Sequence, residues 1–475
     1  MPRKNYRISA RRRMTFDQCF SKSHIEELYE ERIAAKKSAG IDGIGLDSFE
    51  ESLSEHLDVI NRKARRGSYS FTPYAEIQVS KGRGKAPRIL GLPTLRDQLT
   101  MSALKDYLHH RFPDSVNRRL PNSFVFELQK KILEILDDVG TYGFIRADIA
   151  SFYDCIDREK MMNFVRRKVS KKEALKLIYN AVTNPVVPRT SPRHQRFKYF
   201  QGRGVPQGLA ISNILANIYL QEFDKRLRGK AVLYQRYVDD ILLICPLGQQ
   251  YQVLDQIRFE SARLGLELND EKTEIGVVGD DTFDFLGYRL IGNGRVSVRH
   301  SSIQRMIESL AAKITAADRR RDQFREEHPK LTDDIYEKVL IQDLNERITG
   351  AISSHKQYGW LFYFSQIDDL ALLHRLDRIM HRLCNRCKTL GGRLPTELKS
   401  FPVAYREIHR LRRGATTSYI PKYDEYEVDE KEEFLLDRGL LTGGKRHPKE
   451  EIRDKFARLI ARRMKRLEMD LKRLS

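Results

Sequence analysis

The chain has 475 residues, enough to bury a sizeable core in several domains or lobes, and a formal net charge of +21. That balance points to a polyanionic partner, most often nucleic acid, with a solvated charged surface as the duller alternative. No apolar run approaches membrane-spanning length, MPRKNYRISARRRM lacks the apolar core of a signal peptide, and five cysteines without a regular framework suggest a reducing, cytoplasmic setting.

Met1 to about Arg13 is basic and without periodicity, an arm suited to phosphates, and a helix follows around Ser23–Ser38. AGIDGI (Ala39–Ile44) is rich in turn residues, a second helix covers Leu46–Arg66, and Tyr69–Val79 looks extended. Lys81–Arg88 (KGRGKAPR) is a glycine-containing basic loop, followed by an extended piece and a helix from about Thr94. Lys81 and Arg88 sit where a β-ribbon could aim them at a triphosphate, and a solvated loop accounts for them equally well.

Gly143–Asp157 reads GFIRADIASFYDCID. Phe144–Ile149 suits a buried strand with Asp148 at its end, where a carboxylate can be offered to a metal; Asp157 is the better helix cap. Amphipathic helices are expected at roughly Glu159–Arg167 and Lys171–Val182, then a Pro- and Arg-rich loop or hairpin over Asn184–Tyr199, near the substrate. In QGRGVPQGLAISNILANIYL (Gln201–Leu220) three residues, Gly204, Pro206 and Gly208, break regular structure, and helical spacing begins at Leu209. A glycine-flexible loop feeding a helix that carries Ser212 and Asn217 could let a base pair lie close to the backbone, and a plain loop and helix start is the duller alternative.

Val232–Ile244 reads VLYQRYVDDILLI, two strand-like runs flanking Asp239 and Asp240. Adjacent carboxylates in so apolar a setting are costly unless a cation holds them, and the alternative is an Asp-Asp turn in an ordinary hairpin.

Asp148 at a strand end, then the PQG loop and helix, then YVDD in a hairpin, resemble in that order the palm of reverse transcriptases. KGRGKAPRILGLPTLRDQL resembles the fingers segment of the bacterial enzymes, and AGIDGI the element before it. LGLELNDEKTEIG (Leu264–Gly276) is similar to the family's lysine-bearing loop, here with Lys272, and FDFLGYRL (Phe283–Leu290) to its primer-grip hairpin, here Phe285, Leu286, Gly287 and Tyr288. The matches cover about Ala39–Leu290.

The resemblance implies an α+β right-hand polymerase: fingers, a palm of antiparallel sheet plus helices, and a helical thumb with a basic C-terminal extension. The corresponding segments are 1–38 (arm and helix), 39–142 (fingers), 143–295 (palm, with a fingers insertion at about 160–203), 296–400 (thumb) and 401–475 (extension). It implies RNA-directed DNA synthesis from deoxynucleoside triphosphates on an RNA template with a DNA or RNA primer. Phosphoryl transfer by the two-metal route uses Mg²⁺ ions about 3.5–4 Å apart, with Mn²⁺ as a substitute. Asp148 and Asp239 would bridge them, Ile149 would lend its carbonyl, and Asp240 would complete the acidic cluster. Tyr153 corresponds to the steric gate against a ribose 2′-hydroxyl. Lys81 and Arg88 would neutralise the triphosphate, Pro206, Gln207 and Gly208 would pack against it, and Lys272 would act near the leaving pyrophosphate or stay on the surface.

GVPQGLAISNILANIYL departs from the group II intron enzymes, with Ser212–Asn213 where they have a proline after the serine, and Leu209 in place of a second glycine. It looks closer to abortive-infection, other defence-associated and retron enzymes, and no histidine–asparagine nuclease signature follows. The expectation is therefore a polymerase in an anti-phage system, partnered by a non-coding RNA or a second protein. The competing reading is a retron-like or intron-derived enzyme or maturase that acts as an RNA-binding protein.

Beyond about Val298 the pattern turns helical, with helices through Ile303–Ile314 and Tyr336–Ile348. The aromatic stretch His355–Leu370, with Trp360, resembles the thumb-to-maturase region of intron enzymes and also suits a helix-bundle core. Cys384 and Cys387, with His374 and His381, make zinc conceivable, but there is no second CxxC and one continuous helix cannot wrap an ion. A loop, Ala415–Glu433, leads to a basic helix, Lys449–Leu474, whose stripe (Ile460, Met464, Leu467, Leu471, Leu474) could dock on the thumb, bind RNA or pair subunits into a homo-oligomer.

Overall fold

The computed structural model describes residues 14–34, 39–80, 84, 86–117, 119–136, 141–329 and 331–472. The basic arm before residue 14, Lys81 and Leu474 lie outside the described residues. Two compact units divide the chain, one from Met1–Arg118 with Tyr142–Ile275, the other from Arg119–Thr141 with Gly276–Ser475. The fold is mixed α+β, and among the described residues no helix is long and apolar enough to cross a membrane.

In the first unit, β1 (Tyr74–Val79) and β2 (Arg88–Leu92) form an antiparallel ribbon extended by the short parallel strand β4 (Val186–Val187). The main sheet takes β3 (Tyr142–Asp148), β5 (Leu233–Tyr237), β6 (Asp240–Pro246) and β7 (Glu274–Val277) in the order β5-β6-β3-β7. β6 is an inner strand, and Ile241–Cys245 are fully buried, which is why ILLIC is an unbroken apolar run rather than an alternating one. The connection 184–199, open between loop and hairpin in the sequence, forms β4 and a 3₁₀ segment Arg193–Tyr199.

Helix starts follow their caps. Thr94 Oγ1 accepts from the Asp97 amide and opens the helix Leu95–Arg111; Asp157 accepts from Lys160 and opens Arg158–Arg166. Leu95–Arg111 is buried around most of its girth, and Asp97 inside it accepts from the Tyr69 hydroxyl (2.7 Å) and the Thr72 amide (3.0 Å). Gly40 of AGIDGI backs onto this start: a Cβ there would lie 2.6 Å from Thr94 Cα. That close approach explains the glycine.

The second unit is largely helical: Pro121–Leu136, His300–Glu327, Asp333–Thr349, Leu370–Cys384, Phe401–Arg412 and Lys449–Lys472 are its longer helices. Its strands are β8 (Phe283–Phe285), β9 (Tyr288–Leu290) and β10 (Val296–Val298) in one sheet, and β11 (Ala351–Ser353) with β12 (Lys356–Tyr358) in a hairpin. That hairpin interrupts the region read as helical beyond Val298: Ser354 and His355 both take positive φ, and Asp424 accepts from both their amides at 2.7 and 2.9 Å. Trp360, Phe362 and Phe364 are buried beyond it with Tyr288 and Phe401, so the aromatic stretch is core. Gly359 lies against Gly350, where a Cβ would come within 2.6 Å of backbone.

The C-terminal stripe has a partner. Ile452, Phe456, Ile460, Met464 and Leu467 pack with Tyr423, Phe434 and Leu435, and Arg463 turns inward to Asp343 (2.6 Å) and Glu346. The helix carrying Cys384 ends there, so Cys387 lies beyond it and not in one continuous helix; its thiol donates to Asp318 (3.3 Å). Burial raises both thiols to about 11.

Candidate active site

β5 and β6 run antiparallel into a turn at Val238–Asp239, and β6 lies beside β3 with Asp148 paired to Asp240. Directly paired residues in such a ladder share a face, so these two carboxylates stand together. Val238 takes φ 60° and turns the chain sharply ahead of Asp239. The Ile149 amide donates to the Asp239 carbonyl (3.3 Å), the Asn269 amide to the Asp148 carbonyl (2.7 Å), and the Ala150 amide to Glu267 (2.9 Å). Asp148–Ala150 is thus clasped between the turn and the segment before Lys272.

The electrostatics are those of crowded anions. Burial, then the charge of Asp148, raises Asp239 above the ordinary carboxylate range. Burial, then Asp239 and Asp148, carries Asp240 to about 6. Lys272 answers part of this charge, with Nζ 2.9 Å from Asp148 Oδ2.

Oxygen-only donors of this kind suit Mg²⁺ or Mn²⁺. Among the described residues no three His, Cys, Asp or Glu side chains are gathered as a ready chelate, and Lys272 holds one oxygen of Asp148. Mg²⁺ commonly needs only one or two carboxylates, with substrate phosphates and water supplying the rest, so the residues fit that ion as part of a substrate complex.

Tyr153 follows Ser151, itself at φ 44°, in the short helix Phe152–Cys155. Burial and then the charge of Asp239 push its hydroxyl up to about 12, which puts the ring beside the acidic turn. The approach to the PQG loop is tied to this helix: the Val205 amide donates to the Tyr153 carbonyl (2.8 Å) and Gly204 to Ile156 (2.9 Å). The loop in turn joins β2, with the Gly91 amide donating to the Gln207 carbonyl (2.8 Å). Gly208, at φ 95°, sits where a Cβ would lie 3.1 Å from the Gly91 carbonyl oxygen. Ser212 donates to the Pro206 carbonyl (2.6 Å) and fixes the loop from the helix side.

A cleft lined by Arg88, Ile89, Asp154, Tyr199, Pro206 and Gln207 results. The first unit therefore brings Arg88, Pro206 and Gln207 together in one place and Asp148, Asp239, Asp240 and Lys272 in another, with Tyr153 beside the second. Phe285, Leu286, Gly287 and Tyr288 lie in the second unit. Leu286 (φ 51°) and Gly287 (φ 82°) make a tight turn, and Phe285 and Tyr288 are buried in that unit's core.

Sequence reading missed one set. Arg236 on β5 pairs with Asp224 through the Nε–Nη2 edge of its guanidinium (2.7 Å each), and its Nη1 donates to the Val238 carbonyl (2.7 Å) and Asn217 Oδ1 (3.3 Å). Asn217 thus joins this buried arginine's set of partners. The signal available was an arginine inside an otherwise apolar strand, which must find a buried acid.

Residues 79–290 match the family model described as reverse transcriptase (RNA-dependent DNA polymerase). Protein YkfC of Escherichia coli (strain K12) is 28% identical over 328 residues, covering 58% of this chain and 83% of that protein. Group II intron-encoded protein LtrA of Lactococcus lactis subsp. cremoris is 26% identical over 199 residues, 41% of this chain and 32% of LtrA. The chain thus spans about a third of LtrA's length. Among solved structures, telomerase from Candida albicans in complex with a fragment of telomeric RNA aligns with 79% of this chain and 68% of its own, at 12% identity and a TM-score of 0.38. Residues 79–290, which include Asp148, Asp239 and Asp240, thus match the reverse transcriptase family as a domain of this chain.

Proposed function

We propose that the chain copies RNA into DNA from a paired primer end, with Asp148, Asp239 and Asp240 holding two Mg²⁺ ions. The observation that carries this is the raised pair Asp239 and Asp240 beside Asp148: like charges held this close are disfavoured in the protein alone and favoured by a divalent cation. When bound, such ions activate the primer 3′-hydroxyl and neutralise the triphosphate. Ile149, next to Asp148, would lend its carbonyl.

Around the aspartates the chain's own groups orient substrate. Arg88 meets the triphosphate from β2, with Lys81 as its proposed partner. Gln207 and Gly208, seated on β2 by backbone contacts, pack against the nucleotide. Tyr153 closes the space at the sugar, and an aromatic ring there excludes a 2′-hydroxyl by bulk. Lys272 stands by Asp148, placed to offset charge near the departing pyrophosphate. In this reading residues 39–142 serve as fingers, 143–295 as palm, with the Leu286–Gly287 turn offering backbone to a primer, 296–400 as thumb and 401–475 as its basic extension.

We further propose a bacterial anti-phage role with a non-coding RNA or second protein as partner, supported by the GVPQGLAISN segment. A second reading, an intron-derived enzyme or maturase, is favoured by the likeness to an intron-encoded protein. The polymerase reading is tested by primer extension in Mg²⁺ with deoxynucleotides. Asp239→Ala with Asp240→Ala should abolish synthesis, since the lost metals supply several kcal/mol of transition-state stabilisation. Undiminished synthesis by the double variant would sink the assignment.

A further inference from the structure

Beneath the acidic turn lies a polar group of residues that touches no substrate in the proposed mechanism. Tyr234 and Arg236 are two apart on β5 and so share a face. Both reach Asp224 on the helix Gln221–Arg228, the Tyr234 hydroxyl at 2.6 Å. Asn217, on the helix Ser212–Tyr219, takes one more guanidinium proton and donates to Asn213 Oδ1 (3.1 Å). Arg236 and Asp224 side chains are only 7% and 15% exposed.

The remaining Arg236 bond goes to the carbonyl of Val238. That residue is β-branched and sits at φ 60°, a region such residues avoid, so the turn needs an outside hold to keep its shape. We propose that Arg236 is a positioning residue: anchored by Asp224 and Asn217, its guanidinium holds the Val238 carbonyl and so fixes where the Asp239 and Asp240 carboxylates point. A guanidinium suits this because its planar fork can grip a carboxylate with one edge and a carbonyl with the other. An ammonium offers its three protons from one point and cannot span both partners with a fixed fork. The inference rests on the polymerase reading of this hairpin.

The competing role is a buried ion pair that only joins β5 to its helix. Two variants separate the roles in steady-state primer extension on the full chain, read alongside melting temperature. Arg236→Lys should lower kcat at least tenfold with the deoxynucleotide KM within twofold. The triple change Asp224→Leu, Tyr234→Phe and Arg236→Met replaces the polar group by apolar side chains, a substitution that often preserves stability. Its melting temperature should return to within a few degrees of the parent while kcat stays low. Recovery of kcat together with stability would overturn the proposal, as would an unchanged kcat in Arg236→Lys. If the triple variant does not fold, the kcat and KM of Arg236→Lys decide. Asp239→Asn serves as the reference: full synthesis by that variant removes the polymerase reading itself, whereas a dead Asp239→Asn beside a normal Arg236→Lys removes only this inference.

Discussion

Asp148 and Asp240 are partners in the β3–β6 ladder, two carboxylates directly opposed on one face of a sheet. Like charges so placed oppose folding, and the chain tolerates them because β6 is anchored by its fully buried Ile241–Cys245 run and Lys272 bonds Asp148.

The opposition gives stability a pH dependence. Asp240 titrates at about 6 in the folded chain, through burial and then its two acidic neighbours, against about 3.9 for an unfolded aspartate. Between those values the folded state holds the extra proton, so this group favours folding at low pH and the benefit is lost as pH rises through 6. In EDTA, Asp240→Asn should therefore melt higher than the parent at pH 8, by on the order of 2 kcal/mol, with the gap closing toward pH 4. A constant gap from pH 4 to 8 would show that the carboxylate is not strained by its neighbours.

Sugar selection is the second test. Tyr153 lies in a helix tied to the PQG approach by the Val205–Tyr153 backbone bond, so truncating the ring should leave the loop in place. Tyr153→Ala is expected to raise ribonucleotide incorporation relative to deoxynucleotide by tenfold or more in single-nucleotide extension. An unchanged ratio of kcat/KM values would remove Tyr153 as the gate.

How much of this was legible depended on how local each signal was. The turn at Asp239, the helix start near Thr94, the cap at Asp157 and the glycine breaks around Pro206 announce themselves within a few residues, and each appears where the sequence put it. The Arg236–Asp224 pair was missed because its partners belong to different elements, and no period links them. The β11–β12 hairpin was missed because the stretch beyond Val298 reads as helical unless the pairing of Ala351–Ser353 with Lys356–Tyr358 is known. The C-terminal stripe showed a buried face but not what covered it. Only the fold supplies Tyr423 and Phe434.

Salt dependence tests the partner. A chain of net charge +21 that grips nucleic acid by its phosphates releases counterions on binding, so affinity for a primer–template duplex should fall linearly in log–log form with salt. Six to ten phosphate contacts correspond to a loss of roughly 10³–10⁵ between 50 and 200 mM salt. Fluorescence anisotropy at stepped salt measures the slope. A nearly flat line would contradict phosphate-led binding.

Biological purpose is tested in cells. The proposed defence role rests on the GVPQGLAISN segment, while the similar proteins include an intron-encoded one, so two settings compete for the same chemistry. A defence enzyme must synthesise DNA during infection to protect its host, which makes protection depend on Asp239 and Asp240. An intron-derived maturase acts by binding RNA and can keep its role when synthesis is lost. The gene with its native flanks, expressed as wild type and as the Asp239→Ala, Asp240→Ala double variant, should be challenged with a broad phage panel. Defence predicts plaque counts at least tenfold lower for wild type on some phages and full plating on the double variant. Equal plating throughout counts against defence, and splicing of a reporter intron rescued by both forms would favour the maturase instead.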